Sequence, residues 1–147
     1  MKSLFDKPAY TEVNDRINLL SENSKNHWGK MTVGQMLHHC QAPLNIILEK
    51  NDYGMKPNFL VKLFFKKMLY NDTPFKKKLP TAKFLRETEP RDFNFEKDQL
   101  SMLLNEFKDQ SERENWGAHP AFGRLTKQQW GQMQYKHLDH HLTQFGV

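Results

Sequence analysis

The sequence predicts an all-α fold, a four-helix bundle with an additional N-terminal helix, from three observations. Apolar residues recur at helical spacing in five segments of the chain. Thr32 and Thr126 are each followed three positions later by glutamine, which is the pattern of a capping box at a helix start. No stretch alternates apolar and polar residues for long enough to require a strand. Because the chain has 147 residues, we expect one domain that spans residues 1–147.

The first two helices have recognisable boundaries. The first is expected over residues 8–21 and begins with Pro8, which the first helical turn tolerates because its missing N–H would have no partner there. The second is expected from Thr32 to about Glu49. Pro43 lies inside this second helix and should kink it or split off its second half, because proline lacks an N–H and its ring crowds the preceding turn.

Three more helices are expected over residues 57–70, 95–110 and 127–145, and Asn94 is the predicted N-cap of the middle one. The segment 71–93 contains three prolines and is therefore predicted to be an extended connection. Within the first of these helices, the apolar residues at helical spacing are Leu60, Leu63, Phe64, Met68 and Leu69.

Composition and cysteine content limit the class of protein. The single cysteine, Cys40, excludes an intramolecular disulfide framework and is typical of a reducing, cytoplasmic environment. The N-terminus lacks the features of a signal peptide. The most apolar stretch, FLVKLFFKKMLY, is interrupted by three lysines, so it is not a membrane span. We therefore expect a cytoplasmic protein with no membrane partner.

The positive charge is concentrated in one segment. Residues 56–86 contain nine Lys or Arg and the single acid Asp72, a net charge of +8, whereas the whole chain has +5. Such a segment could bind nucleic acid or another anion. No recognised nucleic-acid motif accompanies the lysines, so the favoured interpretation is a solvated surface, and nucleic acid is not the expected partner.

The C-terminal stretch YKHLDHHLTQF contains three of the seven histidines. His137 and His141 are four positions apart, so on a helix they project from the same face, one turn apart. Their neighbours on that face are mostly apolar, which indicates that the pair points inward or lines a pocket. His140 is offset from His141 by about 100° and is expected nearer the rim.

A metal site would need a third ligand from another helix. The second predicted helix offers His38 and His39, and helical phase favours His39 because it shares a face with Met36 and Pro43. Three neutral imidazoles with an open position are typical of a catalytic metal site. From residue spacing alone, two alternatives stay open: packed or solvated histidines that bind no metal, and His38 as the third ligand.

Two further residues are assigned structural roles. Cys40 follows His39 directly but points about 100° away from it, and it aligns with Met36 and Leu44 as a core residue. His119 precedes a proline and is therefore expected in an extended loop, where it braces the loop.

The motifs MTVGQMLHHCQAP and HPAFGRLTKQQWGQMQYKHLDHHLTQFG resemble those of the DinB-like superfamily of small metal-binding helical bundles, in a branch of uncharacterised proteins. The resemblance implies a divalent metal held by His39, His137 and His141. Zinc or nickel is the expected ion, with iron and manganese as further candidates. Better-understood relatives are thiol-dependent transferases and isomerases that use small thiols such as bacillithiol or mycothiol. A small-molecule substrate and a homodimer are also implied.

The expected function is therefore that of a metal-dependent enzyme. By the resemblance, its activity would be that of a thiol-dependent S-transferase or a related hydrolase or isomerase. Two alternatives remain. One is a helical bundle that binds metal without catalysis, and the other is an anion- or nucleic-acid-binding bundle that uses the lysine-rich segment 56–86.

Overall fold

The computed structural model describes residues 1–77, 79 and 82–147, and within these the only regular elements are helices. Three residues of the predicted connection, Lys78, Pro80 and Thr81, lie outside the described part of the chain. The all-α prediction is confirmed for the described residues, where the one strand-like feature is an isolated bridge between His119 and Gly123. The α-helices are α1 (Lys7–Leu19), α2 (Val33–Ile47), α3 (Phe59–Phe65), α4 (Phe93–Asp109) and α5 (Lys127–Gln144).

Both predicted capping boxes are present. Thr32 Oγ1 accepts a hydrogen bond from the Gln35 amide at 3.2 Å, and Gln35 Oε1 accepts from the Thr32 amide at 3.0 Å. Thr126 and Gln129 make the same two bonds at the start of α5, at the same distances. These bonds satisfy amides that have no partner within the helix, so the two helices that carry the histidines both begin where the sequence predicts.

Two local expectations are corrected. Of the two effects predicted for Pro43, the split does not occur, because α2 continues past it to Ile47. Pro43 lies near the C-terminal end of α2, where it disrupts little of the helix that follows, and its carbonyl accepts a hydrogen bond from Gln134 of α5 at 2.9 Å. The N-cap of α4 is Asp92 and not Asn94, because Asp92 Oδ1 accepts from the Phe95 amide at 2.8 Å.

The four longer helices contribute to a single core. Helix α2 packs against α4 and α5, and α1 packs against α5. The N-terminal helix is thus one of the four core helices, whereas the sequence predicts it as an addition to a bundle. No helix of the described chain has the length and hydrophobicity needed to cross a membrane. Fully buried residues of the core include Val13, Ile17, Leu37, Leu44, Leu104, Phe107, Leu138 and Leu142.

Helix α3 differs most from expectation. It ends at Phe65, and a short 3-10 turn over Lys67–Leu69 follows, so the predicted helix over 57–70 is much shorter. Leu63 and Phe64, whose helical spacing resembles that of a core-facing stripe, are 61% and 69% exposed. The connection between α3 and α4 contains a second 3-10 turn, Lys83–Leu85, which approaches the histidines of α2.

Candidate metal centre

Three histidines from two helices converge on one point. One ring nitrogen from each of His39, His137 and His141 lies within 4.8 Å of the others. The ring centroids of His39 and His137 are 5.0 Å apart, and His141 lies 4.7 Å from each. His39 and His141 are buried, and His137 is partly exposed. The cluster therefore has the ligand number and the proximity required to hold one metal ion.

The tautomer of His39 follows from its hydrogen bond to a carbonyl. His39 Nδ1 lies 3.0 Å from the carbonyl oxygen of Leu85, in the second 3-10 turn. Because a carbonyl oxygen can only accept, Nδ1 carries the proton and donates it. The neutral imidazole therefore has its lone pair on Nε2, which lies 3.1 Å from Nε2 of His137.

The tautomer of His141 is determined in the same way, by a side chain one turn further along α5. Its Nδ1 lies 2.8 Å from Oε1 of Gln144. The amide nitrogen of Gln144 donates to the carbonyl of Trp28 at 2.6 Å, which assigns Oε1 as the acceptor toward His141. The proton of His141 is therefore on Nδ1 and its lone pair is on Nε2. Metal-binding histidines commonly have such a partner on their other ring nitrogen.

A glycine leaves space for this arrangement. Gly29 has φ of +85°, and a Cβ at this position would lie 2.5 Å from the Gln144 amide nitrogen. An alanine would therefore collide with the group that orients His141 and would be strained in the left-handed region. The loop before α2 thus contributes to the histidine cluster through Trp28 and Gly29, although neither contacts a histidine of the cluster by a hydrogen bond.

His137, the third histidine of the cluster, differs from the other two in its hydrogen bonding. Its Nδ1 is buried and has no hydrogen-bond partner among the described residues. A zinc ion holds two imidazole nitrogens at about 2.0–2.1 Å each, which in a tetrahedral site places them about 3.3 Å apart. The 3.1 Å between the Nε2 atoms of His39 and His137 is close to that separation. The donor set and the spacing of this pair therefore fit a small divalent cation.

Burial keeps the three imidazoles neutral. It lowers the pKa of His39, against a smaller opposing effect of the Leu85 hydrogen bond. Burial, with the charge of His39 as a smaller cause, lowers the pKa of His141 to about 3. Burial also lowers the pKa of His137 well below its ordinary value, and the charge of His141 adds to that effect. At neutral pH each ring therefore retains a lone pair, as metal binding requires.

The neighbouring histidines and acids on these two helices are not members of the three-histidine cluster. His38 Nδ1 pairs with Glu87 Oε1 at 2.7 Å, so His39 and not His38 joins the cluster, as helical phase predicts. Asp139 forms an ion pair with Arg16 at 2.7 Å, on the side of α5 that faces α1. His140 is half-buried, and its ring lies 5.0 Å from that of His141. That these three histidines bind metal stays a prediction.

A large cavity adjoins the cluster. Its volume is about 1450 Å³, and all three histidines line it together with His140 and His119. This exceeds the volume of about 300–1,000 Å³ that is typical of small-molecule pockets. Most of the other lining side chains are apolar or aromatic, and they include Trp28, Ile46, Phe65, Met68, Leu69, Phe75, Leu79, Phe122 and Met133.

Lys136 attaches one wall of this cavity to α5. Lys136 is buried, which is rare for a lysine unless its ammonium has partners. Its ammonium donates to the Met68 carbonyl at 2.5 Å and to the Asn71 carbonyl and side chain at 3.0 and 2.7 Å. It also lies 4.5 Å from the centroid of the Phe75 ring. These contacts hold the segment after α3 against the helix that carries two of the histidines.

His119 braces a loop, as the sequence predicts, and also faces the cavity. Its Nδ1 accepts hydrogen bonds from the amides of Ala121 and Phe122 at 3.1 and 3.4 Å, and its ring stacks on Trp130. Burial lowers the pKa of His119 to about 4. Cys40 is buried beside Met36, so its predicted core position is confirmed.

Sequence reasoning missed the groups that orient the cluster. Gln144 is three positions from His141, a spacing that places both on one helix face and could have revealed it. The carbonyls of Leu85 and Trp28 belong to irregular segments, and no sequence signal identifies a backbone oxygen as a partner. Glu87, which engages His38, is likewise forty-nine positions away from it in the chain.

Comparison with known proteins gives a family without a function. The family described as "Protein of unknown function (DUF1569)" matches residues 3–146, nearly the whole chain. No curated protein and no solved structure matches the chain significantly.

Proposed function

The chain belongs to the DUF1569 family of proteins of unknown function, and we propose that it is a metal-dependent enzyme. In this proposal one divalent cation is held by His39, His137 and His141, and a small-molecule substrate occupies the adjoining cavity. The observation that carries the proposal is the pair of preset tautomers. Leu85 and Gln144 each bind the Nδ1 proton of a buried imidazole and leave its Nε2 free toward the cluster.

Two features favour catalysis over a purely structural ion. Structural zinc sites are usually closed by four protein ligands, whereas three ligands leave a position for substrate or water. The described chain supplies three such ligands, and they line a cavity of about 1450 Å³. A bound divalent cation supplies a Lewis acid, which lowers the pKa of a water or thiol and polarises a substrate oxygen.

His140 is proposed to move a proton in this site. It lines the cavity, and its ring lies beside that of His141. Burial lowers the pKa of His140, while the charge of Asp139 opposes that effect. A histidine that lines a substrate cavity can exchange a proton with a substrate group.

The finer assignment rests on the sequence resemblance. A DinB-like bundle, with one ligand on an early helix and two on the last helix, agrees with the location of His39 on α2 and of the other two on α5. Zinc or nickel suits neutral imidazole ligands. We propose a thiol-dependent S-transferase, or a related hydrolase or isomerase. The thiol, the cytoplasmic location and a homodimer derive from the sequence alone.

An activity screen tests the enzyme proposal. The purified protein is loaded with zinc or nickel and incubated with a panel of small thiols and electrophilic acceptors, and products are identified by mass spectrometry. We expect turnover with metal that is lost after chelation. We also expect His140→Gln to lower turnover while metal content is unchanged. Metal-loaded protein without turnover on any member of the panel would favour the non-catalytic metal-binding alternative.

A further inference from the structure

Helix α3 presents an apolar face to solvent. The apolar α3 face consists of Phe59, Leu60, Leu63 and Phe64, whose exposed fractions are 76%, 62%, 61% and 69%. Phe59 and Leu63 are four positions apart, as are Leu60 and Phe64, so the four side chains lie on one side of the helix. A contiguous exposed apolar patch on a soluble protein marks an interaction site more often than single exposed residues do.

Lys62 of α3 and Lys66, directly after it, reach the loop that precedes α5. Lys66 Nζ donates to the carbonyl of Arg124 at 2.5 Å. The ammonium of Lys62 lies against Gly123, 3.6 Å from the position that a Cβ there would occupy. Helices on a protein surface ordinarily direct their apolar stripe inward. These contacts leave the apolar α3 face exposed to solvent and available to another partner.

The charge beside this face identifies the partner, since Lys62, Lys66 and Lys67 lie beside Phe59 and Leu63 in one surface depression. Residues 56–86 have a net charge of +8, and none of their described lysines forms an ion pair with a carboxylate of the described chain. A second copy docked by two-fold symmetry would bring two such segments together and would be repelled. Nucleic acid would bind the lysines but leave the apolar face in water.

An anionic lipid surface satisfies both features. Apolar side chains of an interfacial helix enter the boundary between headgroups and acyl chains, while lysines contact the anionic headgroups. We propose that the apolar α3 face, with the exposed lysines Lys56 and Lys67 at its two ends, docks the protein onto an anionic phospholipid bilayer. The lysines that interrupt this stretch exclude a membrane span, but they favour a segment that lies on the membrane surface.

Vesicle binding by the purified protein tests this inference. The protein is sedimented with vesicles of phosphatidylcholine alone and of phosphatidylcholine mixed with phosphatidylserine. We expect binding to the mixed vesicles that weakens as salt rises, and little binding to the neutral ones. Lys56→Gln/Lys67→Gln should weaken binding about 25-fold, because each lysine near an anionic surface contributes roughly fivefold. The control Lys7→Gln/Lys25→Gln removes two exposed lysines outside the segment and should bind as wild type does.

A second pair of double variants tests the contribution of the apolar side chains to vesicle binding. Leu60→Gln/Phe64→Gln should weaken binding to the mixed vesicles at least tenfold. Phe95→Gln/Met102→Gln removes residues of α4 that are 59% and 58% exposed, and it should have no effect. All four positions are exposed, so each variant should unfold at the wild-type temperature.

Three results would overturn the inference. One is no binding to either type of vesicle. Another is binding to duplex DNA or RNA with no binding to anionic vesicles. The third is a dimer, detected by analytical ultracentrifugation, that dissociates in Leu60→Gln/Phe64→Gln, since that would assign the apolar α3 face to a second copy.

Discussion

Gln144 Oε1 accepts the Nδ1 proton of His141 at 2.8 Å, and the same amide is held in place by the carbonyl of Trp28 at 2.6 Å. The orientation of a buried imidazole on α5 is thus determined by a loop that precedes α2. Because the Trp28 carbonyl can only accept, the Gln144 amide has one possible orientation, and the lone pair of His141 is directed away from it. Gln144 therefore acts as a positioning residue for the proposed metal site.

Replacement of Gln144 tests this role. We expect Gln144→Leu to lower metal affinity about 10- to 100-fold, the usual effect of losing a hydrogen-bond partner of a ligating histidine. Affinity is measured by competition with a chromogenic chelator. Gln134→Leu is the matched control: Gln134 is also a buried glutamine on α5, but its amide binds the Pro43 carbonyl. Equal losses of affinity in both variants would indicate a general structural effect.

Alanine variants of two glycines with similar φ angles distinguish the cost of backbone strain from the cost of a steric clash. Gly29 has φ of +85° and Gly54 has φ of +64°, so alanine at either position costs about 1–2 kcal/mol of stability. At Gly54 nothing lies within 4 Å of the added Cβ, whereas at Gly29 the Gln144 amide lies 2.5 Å away. We expect Gly29→Ala to destabilise the protein more than Gly54→Ala in urea unfolding, and alone to reduce metal affinity. Identical behaviour of the two variants would contradict this.

The acid sensitivity of the fold should depend on His119. An unfolded histidine gains a proton near pH 6.5, whereas burial keeps His119 neutral down to about pH 4. Between these values the unfolded state binds more protons, so stability falls as pH falls, by about 3 kcal/mol for this residue. Above pH 6.5 both states are neutral, and no loss is expected.

His119→Asn measures this contribution, because the asparagine oxygen can accept the same two backbone amides. Urea unfolding from pH 7 to pH 4 should show a steeper loss of stability in wild type than in His119→Asn. Other buried histidines contribute equally to both proteins. Parallel curves for wild type and His119→Asn would show that His119 is not the group responsible.

Cys40 should be unreactive in the native protein. It is 1% exposed, and burial raises the pKa of its thiol, so both access and thiolate formation are suppressed. A thiol-specific chromogenic reagent should label it only after denaturation. Rapid labelling of the folded protein would contradict the core assignment, and it would reopen a chemical role for the residue beside His39.

The helical core was largely predictable because its signals are local. Capping boxes at Thr32 and Thr126 and apolar stripes at helical spacing depend on residues a few positions apart. Helix α3 was not predictable in the same way. Its spacing correctly indicates a helix, but spacing does not reveal whether an apolar stripe such as that containing Leu63 meets a core or solvent. The position of Pro43 within a continuous α2 depends on packing between helices.

The candidate site likewise has features that the sequence predicts and features that depend on the tertiary structure. Helical phase correctly joined His137 and His141 and selected His39 over His38, because the direction of a side chain on a regular helix follows from its position. The orienting groups could not be found in that way. The Leu85 and Trp28 carbonyls lie in irregular segments, so their approach to α2 and α5 depends on the complete tertiary structure.

Metal content measured in single histidine variants tests the central claim most directly. Wild type, His39→Ala, His137→Ala, His141→Ala and His38→Ala are dialysed against zinc or nickel and then against metal-free buffer, and bound metal is quantified by elemental analysis. We predict one ion per chain in wild type and in His38→Ala, and substoichiometric metal in the other three variants, all of which should remain helical by circular dichroism. Full metal occupancy in His137→Ala and His141→Ala would contradict the proposed site.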